Sequence, residues 1–332
     1  MQGTISAANS CYEVSPMREY SRRDFLKHSS ALAAGAAALG PSPYLLGAEP
    51  KLQFPTAPRE RLAVGSWPFR MFIEAPENKW ARDPKLPGMD LKDFGAMVVK
   101  KLGVRNIEPL SFHFRSTDAA YLREFREATE KAGARVINLP VDSPASFYDP
   151  APGKRGQAVE VTKHWIDIAA TVGSPSIRRN LAGPQNAKPD VGRTVESLKE
   201  VAHYGAGKNV IINLENDNNF TEDPFFLVEV IEKVNDPYLH ALPDFCNSML
   251  THDQEFNNRA LTALFKHAYS IAHVKDSEVG DGGKLFTVDV AKCFAIAKAS
   301  GYRGYFSMEW EGQGEPYAGT QKLIDLSLKY LA

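Results

Sequence analysis

The chain has 332 residues and a mass of 36.6 kDa, with 43% apolar and 24% charged side chains, the proportions of an ordinary globular protein. Its length accommodates one (β/α)8 barrel of about 250 residues together with a leader. A formal charge of −1, from 39 basic and 40 acidic residues, argues against a surface built for polyanions, so nucleic acid is not an expected partner.

The N-terminus reads as an address rather than as part of a fold. Ser21-Arg22-Arg23-Asp24-Phe25-Leu26-Lys27 is a twin-arginine pattern, followed by the small, weakly apolar run Ser30 to Gly40 and by the small-residue processing site Leu45-Leu46-Gly47-Ala48. Residues 1–48 are therefore expected to be a Tat signal peptide and leader, and 49–332 the folded domain. Met17 would serve equally well as a start, since the residues before it add nothing to the pattern. The Ala/Gly-rich run is too short to span a bilayer, so no stable membrane anchor is expected after processing. The expected location is periplasmic or extracellular, reached in folded form with any metal already loaded. Cys11 precedes the leader, and Cys246 and Cys293 show no spacing of a disulfide framework or zinc knuckle; core packing is their expected role.

From Leu62 onward apolar runs alternate with amphipathic helical patterns. Leu62 to Trp67 reads as the first strand, and a long loop leads to a helix capped by Asp90 and stopped at Gly103. Val104 to Glu108 is the second strand, followed by a helix capped at Asp118 and closed at Gly133. Arg135 to Leu139 is the third, with a helix through Trp165 and Ile168 that ends at Gly173, and Ser176 to Asn180 is the fourth. A helix with Val195, Leu198 and Val201 then leads to the fifth strand, Asn209 to Asn216, and Asp223-Pro224 opens the helix after it. Leu239 to Asn247, Tyr269 to Asp276 and Gly304 to Gly312 carry the last three strands. The seventh is followed by Gly280-Asp281-Gly282-Gly283, read as a flexible loop or lid, and by a helix from near Thr287 to Gly301. Eight strands and eight helices result. An open doubly wound sheet is the competing arrangement, but no Gly-x-Gly-x-x-Gly follows the first strand.

The last four strands each end in a potential metal ligand: Glu215, Asp244, His273 and Glu309, spaced 29, 29 and 36 residues apart, one per βα unit. In a closed parallel barrel the C-terminal strand ends converge on one mouth, so these four would point at a common ion. Three carboxylates and one imidazole suit Mn²⁺, Mg²⁺ or Co²⁺, and Zn²⁺ less well. Such an ion would polarise a sugar carbonyl, while Glu215 and Glu309 remove and return the proton on the neighbouring carbon.

From Leu62 to the C-terminus the chain resembles the xylose-isomerase-like TIM barrels, the sugar phosphate isomerase/epimerase superfamily. The resemblance is carried by Asn-Leu-Glu-Asn at Glu215, Pro-Asp-Phe-Cys-Asn at Asp244, His-Val-Lys-Asp at His273 and Ser-Met-Glu-Trp-Glu-Gly at Glu309. It implies that these four bind the metal and that Glu215 and Glu309 double as acid/base groups. Many epimerases of the family have a histidine three residues after the strand-six aspartate, where this chain has Asn247, which can bind a hydroxyl but cannot carry a proton. Glu108, in an Ile-Glu-Pro sequence similar to the family's, would orient a ligand or touch substrate, or else form a structural ion pair. Of Arg178 and Arg179 one must face the mouth, and Arg179 is taken as the inward one. Lys275 shares the phase of His273 and would steady an oxyanion; Glu311 shares that of Glu309 and would bind a second ion or sit at the rim. His113, Trp67 and Trp310 form a sugar platform or pack the barrel end. His164, His203, His240, His252 and His267 have no partner in register.

The expected function is a divalent-metal-dependent isomerase or epimerase, with Mn²⁺ the first choice, acting on a small exported sugar, keto-sugar or glycoside. A lyase or dehydratase using the same proton abstraction is the alternative. An endonuclease IV-type phosphodiesterase would need more strand-end histidines, and a non-catalytic sugar-binding barrel would leave converging carboxylates without a counter-ion. The sequence leaves a homo-oligomer open.

Overall fold

Leu62–Gly65 (β1), Asn106–Glu108 (β2) and Arg135–Val136 (β3) open a run of parallel strands that continues as Leu139–Val141 (β4), Ser176–Arg179 (β5), Ile211–Glu215 (β6), Leu239–Leu242 (β7) and Ile271–Val274 (β8). Ser277–Val279 (β9) and Leu285–Thr287 (β10) form an antiparallel hairpin, and Tyr305–Met308 (β11) is the last stave of the barrel. A computed structural model of the protein describes residues 49–181, 183, 188–217 and 223–332, apart from the side chain of Asp281. The leader at 1–48 lies outside the described residues.

The ladder runs in two arcs, β3-β2-β1-β11-β8 and β4-β5-β6-β7. At one junction β3 and β4 are two halves of a single stave, the lower half pairing with β2 and the upper with β5. At the other, β7 and β8 are joined by bridges at Ala241–Ala268 and Asp244–His273. The chain is therefore a closed (β/α)8 barrel. The third stave runs on to Val141, two residues past the expected Leu139.

The outer layer is Leu91–Leu102 (α1), Ala119–Lys131 (α2), Pro152–Val172 (α3), Val191–Lys208 (α4), Pro224–Val234 (α5), Gln254–Phe265 (α6), Val290–Ala299 (α7) and Pro316–Leu331 (α8). Local chemistry sets their ends. Asp90, Asp118 and Asp223 accept from backbone N–H groups of the first turn of α1, α2 and α5. Gly103, at φ 64°, closes α1 in the left-handed conformation. Asn209 does the same for α4 at φ 53°, so the fifth stave begins later than expected, with β6 at Ile211. Gly280–Gly283 is the turn of the β9–β10 hairpin rather than a free loop, and because Thr287 belongs to that hairpin, α7 starts only at Val290.

Side chains alternate across each stave. Ile177, Ile212, Leu214, Ala272 and Phe306 lie in the main hydrophobic cluster. The other phase fills the interior in layers. Ala63, Ile137, Leu242, Ile271 and Tyr305 form an apolar plug, against which Phe54 from the N-terminal segment packs. Asn106, Ser176 and Asn213 are buried and polar, and two residues further along their strands stand Glu108, Arg178 and Glu215.

Candidate metal centre

Two residues beyond Asn213 stands Glu215, two beyond Leu242 stands Asp244, two beyond Ile271 stands His273, and two beyond Ser307 stands Glu309. All four are buried, and one ligand atom from each lies within 4.8 Å of the others. The Nδ1 of His273 is at their centre, 2.8 Å from Glu215 Oε1, 3.1 Å from Glu309 Oε2 and 4.0 Å from Asp244 Oδ2.

Neighbouring groups hold each ligand. The other ring nitrogen of His273 lies 3.0 Å from Glu108 Oε1, which also accepts from Asn138 Nδ2 at 2.7 Å; Asn138 in turn accepts from Ser176 Oγ at 2.6 Å. Glu215 Oε2 is 2.8 Å from Arg178 Nε, and Arg178 also pairs with Asp142. Asp244 Oδ1 accepts from the backbone of Cys246 and Asn247 at 2.8 and 2.7 Å. Its Oδ2 accepts no hydrogen bond although it is buried. A carboxylate oxygen fixed in place without a hydrogen bond, with the Lys275 ammonium no nearer than 3.7 Å and two further carboxylates and an imidazole around it, fits a cation.

The electrostatics agree. Burial works against charging His273, but Glu108, Glu309 and Glu215 outweigh it and raise its pKa well above the ordinary value. Burial likewise opposes ionisation of Glu215, yet Arg178 and then His273 hold it below the usual range; Glu309 is lowered by His273 and Lys275 against the same burial. Asp244 is pushed up to about 7, chiefly by burial, with Lys275 opposing and Glu215 and Glu309 adding repulsion. The imidazolium and the Lys275 ammonium thus offset an acidic cluster that a divalent ion would neutralise more fully.

Lys275 lies deeper in this network than an oxyanion contact at the rim. Its Nζ donates to Asn247 Oδ1 at 2.8 Å and to Glu311, and is 3.3 Å from Glu309 Oε2. Asn247 reaches Glu215 Oε1 with its Nδ2 at 3.4 Å. Glu311 pairs with Lys275 and accepts from Trp67 Nε1.

Arg179 corrects the sequence reading. Its Nε donates to Thr162 Oγ1 on α3 at 3.1 Å, and the guanidinium lies over Phe147, so it faces the helical layer while Arg178 is the inward residue. Arg178 shares the phase of Ser176, whereas Arg179 shares that of Ile177, which packs outward. His113 is also not an open platform. It is fully buried with Nδ1 2.8 Å from Ser66 Oγ, and burial, then Arg70, pushes its pKa down to about 3. Trp310 packs against Gly319 of α8, where a Cβ would meet its ring at 2.2 Å. Cys246 and Cys293 are free and buried. A cavity of about 840 Å³ opens at the opposite, N-terminal face beside Phe54, Arg59 and Arg135, and contains none of these groups.

These features define a parallel α/β barrel able to hold a metal ion at its C-terminal mouth. Residues 97–331 match the family model of the xylose isomerase-like TIM barrel, and the chain belongs to that family. Residues 19–40 match a twin-arginine translocation signal sequence, which indicates export by that route, and no helix among the described residues is long and apolar enough to cross a membrane. No curated protein matches the chain. Among solved structures, a xylose isomerase domain protein from Planctomyces limnophilus is 21% identical over 71% of this chain and 90% of its own, with a TM-score of 0.56. A xylose isomerase-like TIM barrel protein from Mycobacterium smegmatis in complex with magnesium is 16% identical over 81% and 96%, at 0.60. The 3-keto-D-glucoside 4-epimerase of E. coli is 16% identical over 82% and 98%, at 0.58. At these identities the likeness is one of fold.

Proposed function

We propose that the protein is a divalent-metal-dependent isomerase or epimerase that moves a proton α to the carbonyl of an exported sugar, keto-sugar or glycoside. The observation that carries this reading is the approach of two carboxylates held ionised, Glu215 and Glu309, to one imidazole nitrogen beside the unsatisfied Asp244 Oδ2. Glu215, Asp244, His273 and Glu309 would hold the ion, with Mn²⁺ the first choice and Mg²⁺, Co²⁺ or Zn²⁺ the alternatives. When bound, the ion would polarise the carbonyl and steady the negative charge that develops on the substrate oxygens.

The side chains supply the rest. Arg178 keeps Glu215 charged, and His273 with Lys275 does so for Glu309, so either carboxylate would take the proton, while the other would return one to the opposite face only after itself taking up a proton from solvent. Asn247 offers an amide to a hydroxyl without entering the proton transfer. Glu108 orients His273. The single imidazole in the cluster, among the described residues, argues against a phosphodiesterase site of several zinc ions. Similarity in fold to a 3-keto-D-glucoside 4-epimerase and an L-ribulose 3-epimerase is compatible with the sugar chemistry.

The test is incorporation of solvent deuterium into a panel of ketoses and keto-glycosides by the Mn²⁺-loaded protein. Exchange should require metal and fall by at least about 10²-fold in Glu309→Gln and Glu215→Gln. Absence of exchange across the panel overturns the reading. A product that has lost a leaving group would assign a lyase instead.

A further inference from the structure

Three aromatic rings meet at the barrel mouth outside the metal centre. Trp67 follows β1, Trp80 lies in the loop beyond it and Phe112 follows β2; their centroids are 5.8 Å apart for Trp67–Trp80 and Trp80–Phe112, and 6.1 Å for Trp67–Phe112. Trp80 is 59% exposed, the highest exposure among the large apolar side chains of the described residues. Its neighbours bury most of their own surface, so the cluster leaves one large ring open to solvent on a fixed base.

This patch is wired to the site. Trp67 donates from Nε1 to Glu311, Glu311 pairs with Lys275, and Lys275 Nζ is 3.3 Å from Glu309 Oε2. The Arg70 guanidinium lies 4.2 Å from the Trp67 ring centroid, placing a hydrogen-bond donor beside the aromatic surface. The open Trp80 ring, beside a Trp67 that is bordered by the Glu311 carboxylate and the Arg70 guanidinium, presents what a pyranose or an aryl ring requires: a flat apolar contact with polar groups nearby. A protein partner seated there would cover the mouth that substrate must enter, which favours a ligand as the occupant.

We propose that Trp80 and Phe112 form an outer subsite for the second ring of a glycoside, so that the substrate is a disaccharide or aryl glycoside rather than a free monosaccharide. The inference rests on the sugar reading of the metal centre and narrows its substrate class. Trp67 couples the two regions, because a shift of its ring moves the partner of Glu311.

Calorimetric titration of the mature chain with 4-nitrophenyl glycosides and the matched methyl glycosides, gluco, galacto and xylo in both anomers, tests this. For at least one sugar the aryl compound should bind about tenfold tighter than its methyl counterpart. Trp80→Ala should bring that ratio close to one, and Trp80→Phe should restore most of it. Equal affinities across the panel, or a preference that survives both Trp80→Ala and Phe112→Ala, overturns the subsite. Deuterium exchange into free ketoses with no aryl preference would sink the subsite and leave the reaction standing. An aryl preference lost in Trp80→Ala without any exchange would support the subsite and remove the reaction.

Discussion

Arg178 and Arg179 are adjacent in sequence and opposite in destination, so substituting each should fail differently. Arg178→Met strips Glu215 and Asp142 of a buried counter-charge; the Glu215 carboxyl should then hold its proton, and metal-dependent exchange should fall by about 10²-fold. Arg179→Met removes contacts to Thr162 and the Val141 carbonyl between barrel and helix, at a cost of about 2–3 kcal/mol in urea denaturation with the site intact. Comparable losses of activity in the two would contradict the assignment. His113 gives a pH prediction away from the ligands. Its folded pKa of about 3 lies below the unfolded 6.5, so between these values only the unfolded chain takes the proton, and stability drops as pH falls through that window. Stability curves of His113→Asn measured from pH 7 to 4 should show a shallower acid limb than the parent.

At the scale of the element, the third stave does the most to shape the site. Its break places Asn138 where its amide reaches Glu108, and Glu108 in turn fixes the ring of His273. Glu108→Gln keeps a hydrogen-bonding group but removes the charge that favours the ring proton, and metal affinity by calorimetric titration should weaken by about 10- to 100-fold. An unchanged affinity would make Glu108 a packing residue. Much of this was legible beforehand: alternation of apolar runs and capped helices gave the barrel, and ligand spacing placed four residues at one mouth. The asymmetry of β5 was harder to see, because both arginines are buried and only the small polar Ser176 marks the inward phase. The β9–β10 hairpin escaped for a different reason. Its glycines are equally compatible with a turn and a loop, and the strands beside them are three residues each. Trp80 and Phe112 carry no periodic signal at all, since they lie in loops and meet only once the barrel has closed.

For the whole molecule, an ion that binds only the folded chain adds stability, about 2.7 kcal/mol when free metal exceeds Kd a hundredfold. Thermal unfolding should therefore shift upward on Mn²⁺ addition and back on chelation, and Asp244→Asn should abolish the shift. The location of that effect follows from the junction between β7 and β8. Asp244 and His273 bridge the two arcs of sheet, the His273 amide donating to the Pro243 carbonyl at 3.0 Å and the Phe245 amide to the His273 carbonyl at 3.2 Å. Two of the residues that would hold the ion are thus also part of the fastening of the cylinder, and a bound cation would act as a clasp on that join. Stripped of it, the protein should breathe there before anywhere else in the wall, with the amides of His273 and Phe245 exchanging their hydrogens ahead of those in β1 and β6.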